Sequence, residues 1–179
     1  MIQAALEKLL AADNGAGINH FEEEGFVSFN NALEDSAAQE HLDDIQKCWT
    51  EEHFTPNMVE FLTANGPLQL KKPNIFECDM HQRRIRETLP SFKRMFNDEL
   101  PKLIQFLNEK FPSLALVGGD AQETGIDVAK SLTLKLQINK GGCFPWHYDN
   151  PSPPNKRKLT LALYLTPEYV AENGGELVL

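Results

Sequence analysis

The chain has no apolar run approaching the ~20 residues that a membrane span needs. Its first stretch, Met1 to Leu10, carries charges and no long apolar core with a cleavage site, so no signal peptide is expected. Positive charge is scarce: 17 Lys and Arg stand against 26 Asp and Glu, a formal net charge of −9. Nucleic acid and anionic membrane surfaces both favour basic patches, so neither is expected as a partner. Cysteine is scarce too, with Cys48, Cys78 and Cys143 odd in number and far apart. No Cys-x-x-Cys zinc spacing exists, and reduced thiols of a cytoplasmic or nuclear protein are the expectation. There is no internal repeat and no low-complexity segment.

What is present is ordinary for a soluble globular domain: 179 residues, 41% hydrophobic and 24% charged. The length suits one domain, or the front part of a larger one. Residues 1–125 read as a mainly helical support region. Helices are expected over Ile2–Ala11, from Asp35 or Ser36 to Trp49, from Thr55-Pro56 to about Thr63, and over most of Leu89–Phe111 with a break at Pro101. Phe92, Phe96, Leu100, Leu103, Phe106 and Leu107 give the last of these an apolar face, expected to cover a sheet. Phe26–Phe29 and Asn74–Cys78 read as strands. Residues 126–179 change to period two. Leu132, Leu134, Leu136 and Ile138 alternate with polar residues, and Leu159, Leu161, Leu163 and Leu165 alternate with Thr160, Ala162 and Tyr164. The leucine face of the second run is expected to pack on helices, and the small and polar face to line a cavity. Glu172–Gly175 reads as a turn, with a further strand beginning at Glu176.

Between those two runs lies Cys143-Phe144-Pro145-Trp146-His147-Tyr148-Asp149-Asn150-Pro151. Residues two apart on a strand share a face, so His147 and Asp149 can present an imidazole and a carboxylate side by side. That mixed N,O pair suits a divalent metal; with a further histidine it makes the facial triad of non-haem iron oxygenases. Two other constellations carry less. Cys78-Asp79-Met80-His81 repeats the spacing in reverse but reads as a polar strand end entering a turn. Arg83, Arg84 and Arg86 have forks that match carboxylates, yet a solvated helix start with surface pairs explains them.

The run Leu134 to Leu179 resembles the Fe(II)- and 2-oxoglutarate-dependent dioxygenases of the prolyl 4-hydroxylase superfamily, most closely the hypoxia-factor type of prolyl hydroxylase. The features in register are Gly141-Gly142 before Phe144, His147-Tyr148-Asp149-Asn150-Pro151, Arg157 three before Thr160, the Thr160–Leu165 strand, and Gly174-Gly175-Glu176-Leu177. The resemblance implies an α+β fold with a double-stranded β-helix, or jelly roll, packed against the N-terminal helices. It implies His147 and Asp149 as iron ligands, Tyr164 and Thr160 as contacts of the cosubstrate, Leu177 as an apolar wall, and Arg157 near the substrate entrance. Fe(II), 2-oxoglutarate, O2 and ascorbate as reductant are the cofactors implied, and a protein or peptide the substrate, with peptidyl-proline foremost. Oxidative decarboxylation of 2-oxoglutarate to succinate is the implied reaction.

Two departures stand out. Ile138 occupies the position, nine before His147, where the family usually has tyrosine. The family's distal histidine and the basic residue after it follow the glycine pair by some tens of residues, whereas His20, His41, His53 and His81 all precede the motif. The jelly roll is therefore expected to be incomplete at the C-terminus, with the distal ligand beyond Leu179. A truncated, inactive scaffold with an incomplete metal site is the alternative, and a cupin-type metal protein a third reading. The Thr160–Tyr164 pairing disfavours the last.

Overall fold

The structure, a computed structural model, describes residues 16–117, 133–144, 147, 149, 157–170, 172, 174 and 177. The helix expected over Ile2–Ala11 and residue Leu132 lie outside them. The chain divides into two units, one of residues 1–44 and 90–132, the other of 45–89 and 133–179. Helix α2 (Asp35–Thr50) runs from the first into the second.

The first unit is helical. It holds α1 (Ala16–Glu24), the front of α2, α4 (Pro90–Arg94), a π-helical turn (Met95–Glu99) and α5 (Leu100–Lys110). The expected break near Pro101 appears as that widened turn. Proline has no N–H to bond back, and its ring would clash with the carbonyl four residues earlier. The expected apolar face exists: Phe92, Phe96, Leu100, Leu103 and Phe106 are buried. Burying side chains of this size contributes about 1.5–3 kcal/mol each. Asn108 then pins the following turn, accepting from Leu116 N at 2.7 Å and donating to its carbonyl at 2.8 Å. Helix α1 is not signalled by the sequence, and Phe26–Phe29, expected as a strand, is irregular.

The second unit is built on an antiparallel sheet of order β1-β2-β3, comprising Thr55–Thr63, Gly66–Asp79 and Lys135–Asn139. The short α3 (Arg83–Arg86) follows β2. The helix expected from Thr55 to Thr63 is instead β1, paired from Thr55↔Glu77 to Thr63↔Gly66. Thr55-Pro56 opens a helix or sits on a sheet edge equally well, because an edge strand need not donate from every N–H. The 14-residue partner, with Thr63 Oγ1 donating to Gly66 O at 2.7 Å across the turn, decides for the strand. A bulge between Pro56 and Met58 turns Asn57 inward, where its amide donates to Glu77 Oε2 at 2.5 Å. Cys48, Ile75, Cys78, Met80, Ile85, Leu89 and Leu136 form the core of this unit. Leu136 is buried and its neighbours in the alternation, Leu134 and Ile138, are half-buried, as period two requires.

Residues 157–166 pair with no strand among the described residues. Leu161 and Leu163 are exposed, so the expected burial of the leucine face against helices is corrected. A strand without a ladder partner has nothing to hold one face down, and only Leu159 and Leu165 are half-buried.

Candidate metal centre

The segment leading to His147 is placed by β2 and β3. At the end of β3, Asn139 Oδ1 accepts from Gly142 N at 2.6 Å, and its amide donates to Gly142 O at 3.1 Å. Lys140 N donates to Asn74 O at 2.8 Å. The Lys140 ammonium sits 4.0 Å from the ring centre of Trp49, which itself meets Phe76 edge-on at 5.3 Å. Lys72 Nζ lies 4.1 Å over the ring of Phe144. Two cation–π contacts, each worth about 0.5–1 kcal/mol where exposed, thus flank the turn. Neither lysine is recognisable in advance, since each lies far in sequence from, or outside, the ring it covers.

The Phe144 ring is centred 6.4 Å from that of His147. His147 Nε2 stands 3.4 Å from Asp149 Oδ1, with the two side chains 54% and 38% exposed. Arg157 Nη1 lies 3.1 Å from the same Oδ1. The Thr160 hydroxyl donates to the other oxygen, Oδ2. The Thr160 bond holds the Asp149 carboxyl below the usual range; partial burial opposes this, and Arg157 and His147 add to the lowering.

Of the residues assigned from sequence, His147, Asp149, Arg157 and Thr160 therefore meet. Tyr164 and Leu177 are exposed. Ile138 is half-buried on β3 opposite Phe76.

Two cis ligands about 2.1 Å from one ion stand about 3 Å apart, so the 3.4 Å separation of Nε2 and Oδ1 fits a shared divalent cation. Among the described residues no group of three His, Cys, Asp or Glu gathers around one point. The Asp79–His81 constellation is a turn: Asp79 Oδ1 accepts from the backbone N–H of His81 at 2.8 Å. The arginine cluster is used locally, with Arg86 Nη1 donating to Met80 O at 2.7 Å and Arg83 reaching Glu87 at 3.8 Å.

No family model, curated protein or solved structure matches the chain. No helix among the described residues is long and apolar enough to cross a membrane.

Proposed function

We propose that this chain carries the iron- and 2-oxoglutarate-binding face of a dioxygenase that hydroxylates a protein residue, with peptidyl-proline the first substrate to try. The observation that supports the reading is the convergence of His147 Nε2 and Asp149 Oδ1 at 3.4 Å on an accessible face. His147 and Asp149 would hold Fe(II). With 2-oxoglutarate and O2 bound, that ion supplies oxidative decarboxylation to succinate and CO2 and hydroxylation of a substrate C–H bond, with ascorbate as reductant.

The chain's own residues do the positioning. Thr160 orients the Asp149 carboxylate by donating to Oδ2, so that Oδ1 faces the imidazole. Phe144, held under Lys72, lies beside His147, the two rings centred 6.4 Å apart. A neutral His147 is the ligand form, and the carboxylate stays ionised because Thr160 and Arg157 favour its charge. Tyr164 and Leu177 are proposed to meet the cosubstrate on the strength of the motif alone.

The experiment is titration of the chain with Mn(II), together with succinate release from 2-oxoglutarate by a chain extended past Leu179, in the presence of Fe(II), ascorbate and proline-bearing peptides. Binding that His147→Ala removes, with succinate formed, is the expected result. No metal binding sensitive to His147 and no succinate with any peptide would defeat the reading.

One observation favours a second reading, a non-catalytic binding module. Both oxygens of Asp149 are engaged, by Arg157 and by Thr160. On that reading the ion pair is permanent and His147→Ala changes no metal affinity.

A further inference from the structure

We propose that Arg157 and the metal ion compete for one oxygen, Asp149 Oδ1, so that loading the site expels the guanidinium from its ion pair. The inference rests on the reading of His147 and Asp149 as metal ligands. Arg157 Nη1 is 3.1 Å from Oδ1, on the same atom that stands 3.4 Å from His147 Nε2. An ion about 2.1 Å from Oδ1 lies within about 5 Å of that nitrogen wherever it sits around the oxygen. A dication and a guanidinium at that separation repel. Arginine stays protonated at any accessible pH, so it leaves by moving rather than by losing its charge. The Arg157 side chain is 42% exposed and has solvent to move into.

The exchange makes a prediction opposite in sign to a supporting role. A residue that merely steadies Asp149 weakens metal binding when removed. A competitor strengthens it. An exposed ion pair is worth little, so Arg157→Gln is expected to tighten Mn(II) binding by about three- to tenfold. Lys158, an exposed cation next in sequence, controls for general charge; Lys158→Gln should change the affinity by no more than about twofold.

The test is Mn(II) affinity at fixed ionic strength and near-neutral pH, for wild type, Arg157→Gln, Arg157→Lys, Lys158→Gln and His147→Ala. Alongside it, the side-chain N–H resonance of Arg157 is followed by NMR as diamagnetic Zn(II) is added. Tightening in Arg157→Gln, an intermediate value in Arg157→Lys, little change in Lys158→Gln and a shifted Arg157 resonance support the exchange. Unchanged or weaker binding in Arg157→Gln, with wild type still binding through His147, overturns the exchange and leaves the proposed function standing. Equal tightening in Arg157→Gln and Lys158→Gln overturns it as well, because the cause is then net charge. Binding in Arg157→Gln where wild type shows none upholds both. No His147-dependent binding in either overturns the proposed function and the exchange with it.

Discussion

A Cβ built on Gly142 would stand 2.4 Å from the carbonyl oxygen of Pro73 and 2.5 Å from Cγ1 of Ile75. The backbone after β3 thus lies directly on β2 where Ile75 enters the core, and only glycine allows that approach. Gly142→Ala must push two backbones apart. It is expected to cost about 1–3 kcal/mol, the usual range for overpacking. Chemical denaturation measures that. The same shift moves Phe144 and His147, so Mn(II) affinity should fall more than in an alanine variant at Gln137, an exposed position on β3. Equal affinities in the two variants would show that Gly142 does not place His147.

The end of α2 offers a stabilising change. His53 N donates to Cys48 O at 3.1 Å and Glu52 N to Trp49 O at 3.1 Å, the paired bonds of a Schellman termination. Glu52 occupies the left-handed position at φ 57°. A side chain there costs about 1–2 kcal/mol in backbone strain, part of which glycine recovers after its own entropy loss. Glu52→Gly is expected to raise stability by about 0.5–1 kcal/mol, read as a higher denaturation midpoint at unchanged m-value.

The sequence showed most where one residue type has one use. The period-two run through Leu134, Leu136 and Ile138 is legible because a half-buried strand repeats every second residue, and the helix from Asp35 is legible from its composition. The buried stripe of α2 was not. Its large apolar residues Leu42 and Ile45 are only half-buried, whereas Ala37, His41, Asp44 and Cys48 are inside. Polar groups bury when partners meet them, and those partners, Ser91 and Phe92, lie some fifty positions away. At the candidate centre the His147–Asp149 spacing was readable because it is local. Lys72 over Phe144 was not, since it depends on β2 lying beside the segment that follows β3.

The Asp79–His81 turn gives a control for the metal centre. Asp79 Oδ1 caps the turn through the His81 N–H, and β2 ends there. Asp79→Ala is expected to cost about 1 kcal/mol, as loss of a local side-chain-to-backbone bond does. Neither Asp79→Ala nor His81→Ala should change Mn(II) affinity by more than about twofold, since neither alters a ligand. A larger loss in His81→Ala would bring that histidine into the site and redraw it.

Asp44, Ser91 and His41 form a chain whose protons can be assigned. Asp44 Oδ2 takes the Ser91 hydroxyl at 2.6 Å and the Ser91 backbone N–H at 2.8 Å, with Phe92 N at 3.4 Å. The carboxylate of α2 thereby caps the first turn of α4, satisfying N–H groups that the helix itself leaves unpaired. Ser91 has spent its one proton on Asp44, so its oxygen accepts from His41 Nδ1–H at 2.8 Å. His41 therefore carries a proton on Nδ1. Burial holds its pKa below the usual 6.5; Glu99, Asp44 and Glu40 oppose that and Arg94 reinforces it. With the folded value below the unfolded one, the unfolded chain binds more protons as pH falls past 6.5. The contribution of His41 is accordingly complete above that pH and is lost on acidification toward the folded value. Unfolding free energy measured against pH should fall below 6.5 in wild type, with a shallower slope in His41→Gln. Asp44→Ala strands buried donors of Ser91 and Phe92 and is expected to cost about 3 kcal/mol, more than Ser91→Ala at about 1 kcal/mol. Hydrogen exchange at the amides of Ser91 and Phe92 should quicken in Asp44→Ala before that of the β2 amides does, because the cap fails locally first. Equal acceleration at both would show that the cap and the sheet open as one unit.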